Sequence, residues 1–274
     1  MPDKVDLHVT FTSTMVPFEI LYRHMQGENV QAVSLNDYHL VLGGSYERRS
    51  VAAGFAWQAR RFCKDQKIGF EEYENGFNVR TDYSVKRFLY GQLLLADDNG
   101  VPGQVITVGT TNLSAKNSLR ELVEESTGFN IAHHPFATGT NPRITEQTLA
   151  ELAEQGNIHA AGHVAQYFLP GFRSANKRAA AYERLPLVAY SAAEDTRLIS
   201  VAQTVQQVAR ASIMVEPIAD PDPTAYVEHI KRTVQERRHG IHCGYVSAQQ
   251  FTGVALQLLT QQWFQRFHFL RHKQ

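Results

Sequence analysis

The stretch "KRFLYGQLLLADDNGVPGQVITVGTTNLSAKNSLRELVEESTGF", residues 86–129, predicts two strands followed by a helix. Its apolar segments "KRFLYGQLLLA" and "GQVITVGTT" are typical of strands, and the "DDNG" between them favours a turn. In the last third, Leu119, Leu122 and Val123 recur at helical spacing. We expect Ser114 to cap this helix at its N-terminus.

The preceding residues, 1–82, predict an N-terminal α/β extension. The segment "KVDLHVTFTS" alternates apolar and polar residues, as a half-buried strand does. "VQAVSLNDYHLVLGG", residues 30–44, predicts two short strands around a turn at Asn36 and Asp37. "ERRSVAAGFAWQARRFCK", residues 47–64, predicts a helix.

The residues that follow the helix of the opening stretch continue the alternation of helices and strands. "ITEQTLAELAEQG" predicts a helix that ends at Gly156. "GHVAQYFLPG" and "RLPLVAYS" predict strands separated by a basic loop, "FRSANKRAAAYE". The proline-rich "EPIADPDP", residues 216–223, predicts a boundary, and two amphipathic helices are expected beyond it, the second over residues 247–270.

These patterns together predict an α/β protein with a mixed sheet in an α/β/α sandwich. We expect the extension over residues 1–82, a central domain over residues 83–215, and a C-terminal helical segment over residues 216–274 that packs on that domain. A chain of 274 residues is long enough to bury such a core.

Composition limits the partners and the compartment. A formal net charge of zero gives no global field for holding nucleic acid by its phosphates, so nucleic-acid binding is not supported. The chain has two cysteines and lacks an apolar run of roughly 20 residues, so we expect neither a disulfide framework nor a membrane span. These features predict a soluble, cytoplasmic protein, and an effector exported without a signal peptide would share them.

Three glutamates in the predicted central helix suggest a metal site. Glu121, Glu124 and Glu125 are spaced i, i+3 and i+4, so they share one side of a helix. Like charges so placed repel one another, whereas Mg²⁺ or Mn²⁺ prefers such oxygen ligands and also binds substrate phosphates. The alternative is a solvated helix face, because glutamates are common on exposed surfaces.

The order strand, turn, strand, loop and glutamate-bearing helix resembles the Nudix hydrolase family. That family has the signature G-x5-E-x7-R-E-U-x-E-E-x-G-U, with U a bulky aliphatic residue. The R-E-U-x-E-E part of this signature is matched by Arg120, Glu121, Leu122, Glu124 and Glu125. The resemblance implies that the glutamates bind the metal ions and that Arg120 orients one of them.

The same resemblance implies a Nudix-like fold and an activity. The expected reaction is metal-dependent hydrolysis of a nucleoside diphosphate linked to another group, with Mg²⁺ or Mn²⁺ as cofactor. Candidate general bases are a carboxylate near the helix or one of three histidines, His133, His134 and His163. Candidate phosphate-binding residues in the basic loop are Arg173, Lys177 and Arg178.

A second resemblance points to ADP-ribose binding by a different fold family. "VQAVSLNDYHLVLGG" resembles the macrodomain loop V-D-A-I-V-N-A-A-N-x-x-L-x-G-G. "PFATGT", Pro135 to Thr140, then resembles a glycine loop that wraps a diphosphate with backbone N–H groups. This resemblance implies a macrodomain-like module that binds ADP-ribose or removes it from proteins.

A third interpretation is an interaction or effector protein with neither chemistry. Its support is the last predicted helix, whose apolar face packs either on the domain or on a second copy in a homodimer. The residues of that face are Phe251, Val254, Leu258, Trp263, Phe264 and Phe267. Two histidine groups at metal-ligand spacing, "HAAGH" and "HGIHC", are interpreted as structural because neither supplies a full ligand set.

Overall fold

The computed structural model describes residues 1–42, 45–96, 103–110, 113, 118–136, 144–164, 170–191, 201–220 and 222–243. These residues form twelve strands and seven helices. The strands are β1 (Asp3–Val9), β2 (Val30–Leu42), β3 (Ser45–Arg49), β4 (Gly69–Tyr73), β5 (Gly76–Arg80), β6 (Val85–Ala96), β7 (Gly103–Val108), β8 (Phe129–Ala132), β9 (Ala160–Val164), β10 (Leu187–Tyr190), β11 (Ala211–Val215) and β12 (Gly240–Cys243). The helices are α1 (Phe18–Gly27), α2 (Ala52–Gln66), α3 (Leu119–Glu125), α4 (Glu146–Glu154), α5 (Pro170–Ala181), α6 (Val201–Val205) and α7 (Pro223–Gln235).

The strands form one mixed sheet. Hydrogen-bonded neighbours follow the order β10-β9-β8-β7-β6-β2-β1-β11-β12, with β3 paired to β2 and the β4–β5 hairpin paired to β6. Eight strands run in the same direction, namely β1, β2, β4, β6, β8, β9, β10 and β12. Their C-terminal ends therefore lie at one edge, which we call the carboxyl edge. The expectation of an α/β protein with a mixed sheet is confirmed.

Helices cover both faces of the sheet. One face packs against α7 in a core cluster that includes Leu7, Leu93 and Tyr226. The opposite face carries two separate clusters, one with α1, α2 and α6 and the other with α3, α4 and α5. This division follows the alternation of side chains along a strand, since Phe88 and Leu94 of β6 lie on the face opposite Leu93.

Strand β6 organises the centre of the sheet because it changes partner along its length. Val85–Leu89 pairs with β5 and Gly91–Ala96 pairs with β7, while β2 occupies the other side. A Cβ added at Gly91 would lie 2.5 Å from the Thr107 carbonyl oxygen. The close approach of β7 at this change of partner therefore requires glycine.

The sheet is strongly curved. Five strands separate β10 from β1 in the hydrogen-bonding order, yet β10 lies close to both β1 and β11. Ser191, which follows β10 directly, donates its backbone N–H to the Asp6 carboxylate on β1. The curvature brings the C-terminal ends of β1, β8 and β10 together.

Two expectations about the N-terminal segment are wrong. Residues 30–42 form the single strand β2, and Asn36 and Asp37 lie within it instead of forming a turn. Pairing with β1 on one side and β6 on the other overrides their local turn preference. The helix expected from residue 47 begins at Ala52, because residues 45–49 form β3.

Two expectations about the central segment are also wrong. The basic loop, residues 172–183, lies largely within helix α5, which buries Ala175 and Ala179 against the core. Helix α3 is capped by Ser118, whose hydroxyl accepts the Glu121 N–H. Ser114 lies outside the described residues.

Other expectations of local structure are confirmed. Strands β1, β6, β7 and β10 and helices α4 and α7 occur where the sequence predicts them. The "DDNG" turn and the helix expected over residues 247–270 lie outside the described residues. Among the residues that are described, no helix is long and apolar enough to cross a membrane.

Candidate functional site

Four aromatic side chains meet at the carboxyl edge. His8 lies near the end of β1, His133 and His134 follow β8, and Tyr190 ends β10. We call these four residues the histidine cluster. Ligand sites of open α/β sheets lie outside the C-terminal ends of parallel strands, and the histidine cluster occupies that position.

The rings of the histidine cluster are closely packed. The His133 ring centroid lies 4.9 Å from that of His8, 3.7 Å from that of His134 and 5.4 Å from that of Tyr190. His8 is 0% exposed and His133 is 4% exposed, whereas His134 is partly exposed. The cluster therefore extends from the core toward the surface, with His134 outermost.

An irregularity in β1 places His8 in this cluster. The pairing of β1 with β2 shifts register between Asp6 and Val9. Leu7 packs on the α7 face and Val9 on the opposite face, although they are two residues apart. His8 lies at this bulge, which directs its ring along the sheet toward β8 and β10.

Two backbone features position the rings of His134 and Tyr190. His134 has a left-handed conformation, with φ of 49°, which residues other than glycine rarely adopt. At Gly162 of β9, an added Cβ would collide with the hydroxyl end of Tyr190. The absence of a side chain at Gly162 therefore leaves the space that the Tyr190 ring occupies.

Hydrogen bonds fix two of the histidine rings. The Tyr190 hydroxyl lies 2.8 Å from Nδ1 of His133. Nδ1 of His8 lies 3.1 Å from the Ser191 carbonyl oxygen. Because a carbonyl oxygen only accepts hydrogen bonds, Nδ1 of His8 is the protonated nitrogen of that ring.

The buried carboxylate of Asp6 connects the strands that carry the cluster. It accepts the backbone N–H groups of His8, Ser191 and Ala209, at 3.2, 3.1 and 2.7 Å, and the Ser191 hydroxyl. Burial raises the pKa of Asp6 to about 6, although these hydrogen bonds act in the opposite direction. Asp6 thereby ties β1 to the end of β10 and to the turn before β11.

Burial also determines the charge of the histidines. It lowers the pKa of His8 to about 4 and that of His134 to about 3, and it moves the pKa of His133 well below its ordinary value. The positive charge that neighbouring histidines would carry lowers the pKa of His133 and His134 further. All three rings are therefore neutral at pH 7, and each is able to accept a proton or a hydrogen bond.

The glutamates predicted as metal ligands lie on the surface of α3. Glu121, Glu124 and Glu125 are all exposed, and Glu121 accepts a hydrogen bond of 2.8 Å from the Ser118 hydroxyl in a reciprocal cap. Glu125 lies near His39 of β2. Burial and the positive charge of Arg48 lower the pKa of His39, whereas the negative charge of Glu125 raises it.

In the structure, Arg120 contacts residues of a neighbouring helix end. Its guanidinium donates to Glu151 at 2.8 Å and to Gln155 at 3.0 Å, which links α3 to the end of α4. Within the described parts of the chain, no three or more histidine, cysteine, aspartate or glutamate residues are arranged to hold a metal ion. The assignment of the α3 glutamates as Mg²⁺ or Mn²⁺ ligands stays a prediction.

The basic residues expected in a loop lie on α5. Arg178 pairs with Glu146 at 3.2 Å and lies 5.1 Å from the centre of the Phe136 ring. Phe136 is two residues beyond His134, so Arg178 lies beside the chain that leaves the histidine cluster. Lys177 is exposed, and the side chain of Arg173 lies outside the described set.

The two histidine groups with metal-ligand spacing have other contacts. Nδ1 of His159 accepts the Asn130 N–H at 2.9 Å, and a ring nitrogen of His239 donates to the Leu187 carbonyl at 2.6 Å. His242 and Cys243 are exposed on β12, and the His163 side chain is not among the described ones. The structural interpretation of His159 and His239 agrees with these contacts.

The sequence indicates only part of this site. His133 and His134 are candidates from sequence, whereas His8, Asp6 and Tyr190 are not. The available signal for Asp6 and His8 is the period of β1, which places two polar residues between apolar ones.

No protein-family model and no curated protein matches the chain.

Proposed function

We propose that this chain is a hydrolase that binds a nucleotide-type small molecule at the carboxyl edge and uses the histidine cluster for proton transfer. The observation that carries this proposal is the packing of three histidine rings and the Tyr190 hydroxyl at the ends of β1, β8 and β10. Buried titratable groups with shifted pKa values are typical of catalytic sites.

The electrostatics of the cluster favour an anionic substrate. Without a ligand, burial keeps the three imidazoles neutral. A phosphate beside His133 and His134 would raise the pKa values of these two residues, because an opposite charge favours the imidazolium form. Substrate binding would thus bring the pKa of a general base closer to neutral pH, where proton transfer is most effective. The proposed phosphate-binding side chains on α5 are Arg178, which lies beside Phe136, and its exposed neighbour Lys177.

The proposed substrate is a nucleoside diphosphate linked to another group, such as ADP-ribose or a dinucleotide. Both the Nudix-like and the macrodomain-like resemblances imply a ligand of this class. A Nudix-like sandwich and a Mg²⁺ or Mn²⁺ site on Glu121, Glu124 and Glu125 belong to the same proposal. Because these carboxylates are exposed, substrate phosphates and water would have to complete the coordination of the metal ion.

The test is release of AMP from ADP-ribose and from a dinucleotide. The reactions contain Mg²⁺, Mn²⁺ or a chelator, and chromatography measures the AMP that is released. We expect His133→Gln to lower kcat by about 100-fold or more, the usual contribution of a general acid or base. His229→Gln on α7 is the matched control and should retain the wild-type rate. Circular dichroism of each variant checks that the fold is kept.

A second comparison tests the metal site. Glu124→Gln combined with Glu125→Gln should abolish metal-dependent turnover, whereas Glu228→Gln, an exposed glutamate on α7, should not. Full turnover in the double variant would exclude these two metal ligands. Full turnover in His133→Gln would contradict the proposed role of the cluster. Binding of ADP-ribose without turnover would favour the macrodomain-like module, and absence of both would favour the interaction protein.

A further inference from the structure

The two nitrogens of the His8 ring have different surroundings. Nδ1 lies 3.1 Å from the Ser191 carbonyl oxygen. Nε2 is buried and has no hydrogen-bond partner in the part of the chain that the structure describes. A buried polar atom without a partner is unfavourable, so such an atom usually binds a group from outside the protein or a water molecule.

The Ser191 carbonyl determines what His8 offers to such a group. It accepts the proton on Nδ1, which fixes the ring as the Nδ1–H tautomer. Burial lowers the pKa of His8 to about 4, so the ring carries no second proton at neutral pH. Nε2 therefore presents a lone pair, which accepts a hydrogen bond and cannot donate one.

Asp6 acts here as a positioning residue. Both the backbone N–H and the hydroxyl of Ser191 donate to its carboxylate, and so does the backbone N–H of His8. The carbonyl and the imidazole are thus held by the same side chain. This arrangement fixes the direction of Nε2 before any ligand binds.

We propose that Nε2 of His8 accepts a hydrogen bond from a sugar hydroxyl of the bound nucleotide. This inference rests on the proposed function, because that function places a nucleotide at the carboxyl edge. An ionised phosphate has no donor for a neutral acceptor, whereas each ribose hydroxyl has one. The amino group of adenine is also a donor, and a nucleotide that keeps adenine but lacks the hydroxyls separates the two. Among the described residues, the rings of His133 and Tyr190 face His8, with centroids at 4.9 and 5.5 Å, and the Asp6 carboxylate accepts the His8 backbone N–H.

The first experiment reads the tautomer and the acceptor directly. The full chain with ¹⁵N-labelled histidine is studied by long-range ¹H–¹⁵N NMR, and the His8 signals are identified by their loss in His8→Asn. We expect Nδ1 of His8 to be protonated and Nε2 to be unprotonated at pH 7. Addition of AMP should shift the Nε2 resonance, whereas 2′,3′-dideoxy-AMP, which lacks the hydroxyls, should leave it unchanged.

The second experiment measures affinity. Asparagine at position 8 keeps a donor near the place of Nδ1 and removes Nε2. We expect His8→Asn to weaken AMP binding about five- to tenfold, the contribution of one hydrogen bond, and to leave the affinity for 2′,3′-dideoxy-AMP within about twofold. A purely structural role of His8 would weaken binding of both nucleotides equally.

The outcomes separate this inference from the proposed function. A protonated Nε2 in the free protein, or AMP binding with no change at His8, would overturn the inference and leave the proposed function in place. Equal losses for the two nucleotides in His8→Asn would also overturn the inference alone. No binding of AMP by the wild-type chain would overturn the proposed sugar contact, and no binding of ADP-ribose either would overturn the proposed substrate class as well.

Discussion

Asp6 and His8 lie two residues apart on β1, and burial favours the uncharged form of both. The pKa of Asp6 is raised to about 6 and that of His8 is lowered to about 4. The two shifts have opposite effects on stability against pH. The raised pKa of Asp6 stabilises the folded protein at pH values below 3.8, the ordinary pKa of the group, and this stabilisation is lost as the pH rises through 6. The lowered pKa of His8 stabilises the folded protein at pH values above 6.5, its ordinary pKa, and this stabilisation is lost as the pH falls toward 4.

Single variants should separate these two effects. We expect the free energy of unfolding of the wild type, relative to His8→Gln, to decrease by up to about 3 kcal/mol between pH 6.5 and pH 4, because His8 takes up a proton only after unfolding. Relative to Asp6→Asn, the wild type should instead lose stability as the pH rises from 4 to 6. Urea unfolding at pH 4.5, 5.5 and 7 measures both differences. A pH-independent difference in either series would contradict the corresponding shift.

At the scale of elements, the start of α2 depends on a residue far from it in sequence. The helix has no capping side chain of its own at Val51. Oδ1 of Asp37 on β2 instead accepts the backbone N–H groups of Val51 and Ala52, at 2.6 and 3.0 Å. A negative charge at this position also interacts favourably with the helix dipole.

We expect Asp37→Ala to lower the free energy of unfolding by about 1–2 kcal/mol, because two N–H groups at a buried helix end lose their acceptor. Asp65→Ala, near the other end of α2 and exposed, is the matched control and should change stability by less than about 0.5 kcal/mol. Urea denaturation at neutral pH gives both values. Equal effects of the two substitutions would show that Asp37 does not cap α2.

The same strand shows why the sequence predicts some elements and not others. Helices α4 and α7 follow from spacing and capping residues, which are local properties. Asn36 and Asp37 are turn residues by local preference, but the Asn36 amide donates to the Leu7 carbonyl at 3.3 Å and Asp37 caps α2. Contacts from distant parts of the chain decide the structure at such positions. The local pattern therefore predicts a turn where the fold has a strand.

At the scale of the whole molecule, the candidate site exists because the sheet curves. His133 and His134 follow a strand and are recognisable from sequence, but their meeting with His8 and Tyr190 depends on β10 approaching β1. That approach is a property of the sheet as a whole, and no local pattern in the sequence contains it. Ser191, which donates to Asp6 in this arrangement, lies 185 residues away from it in the sequence.

The three segments predicted from sequence contribute strands and helices to the same sheet and cores. β2 pairs with β6 from Ala32 to Val41, β1 pairs with β11, and Tyr226 of α7 donates its hydroxyl to Asp3 at 2.8 Å. A fragment of residues 83–215 would lose β1, β2 and α7, and would expose the β6 edge and the core face beneath them. We therefore expect this fragment to lack a cooperative unfolding transition, whereas residues 1–243 should unfold cooperatively. Circular dichroism during urea titration and the dispersion of ¹H–¹⁵N spectra test this, and a well-dispersed spectrum of the fragment would show that the central segment folds alone.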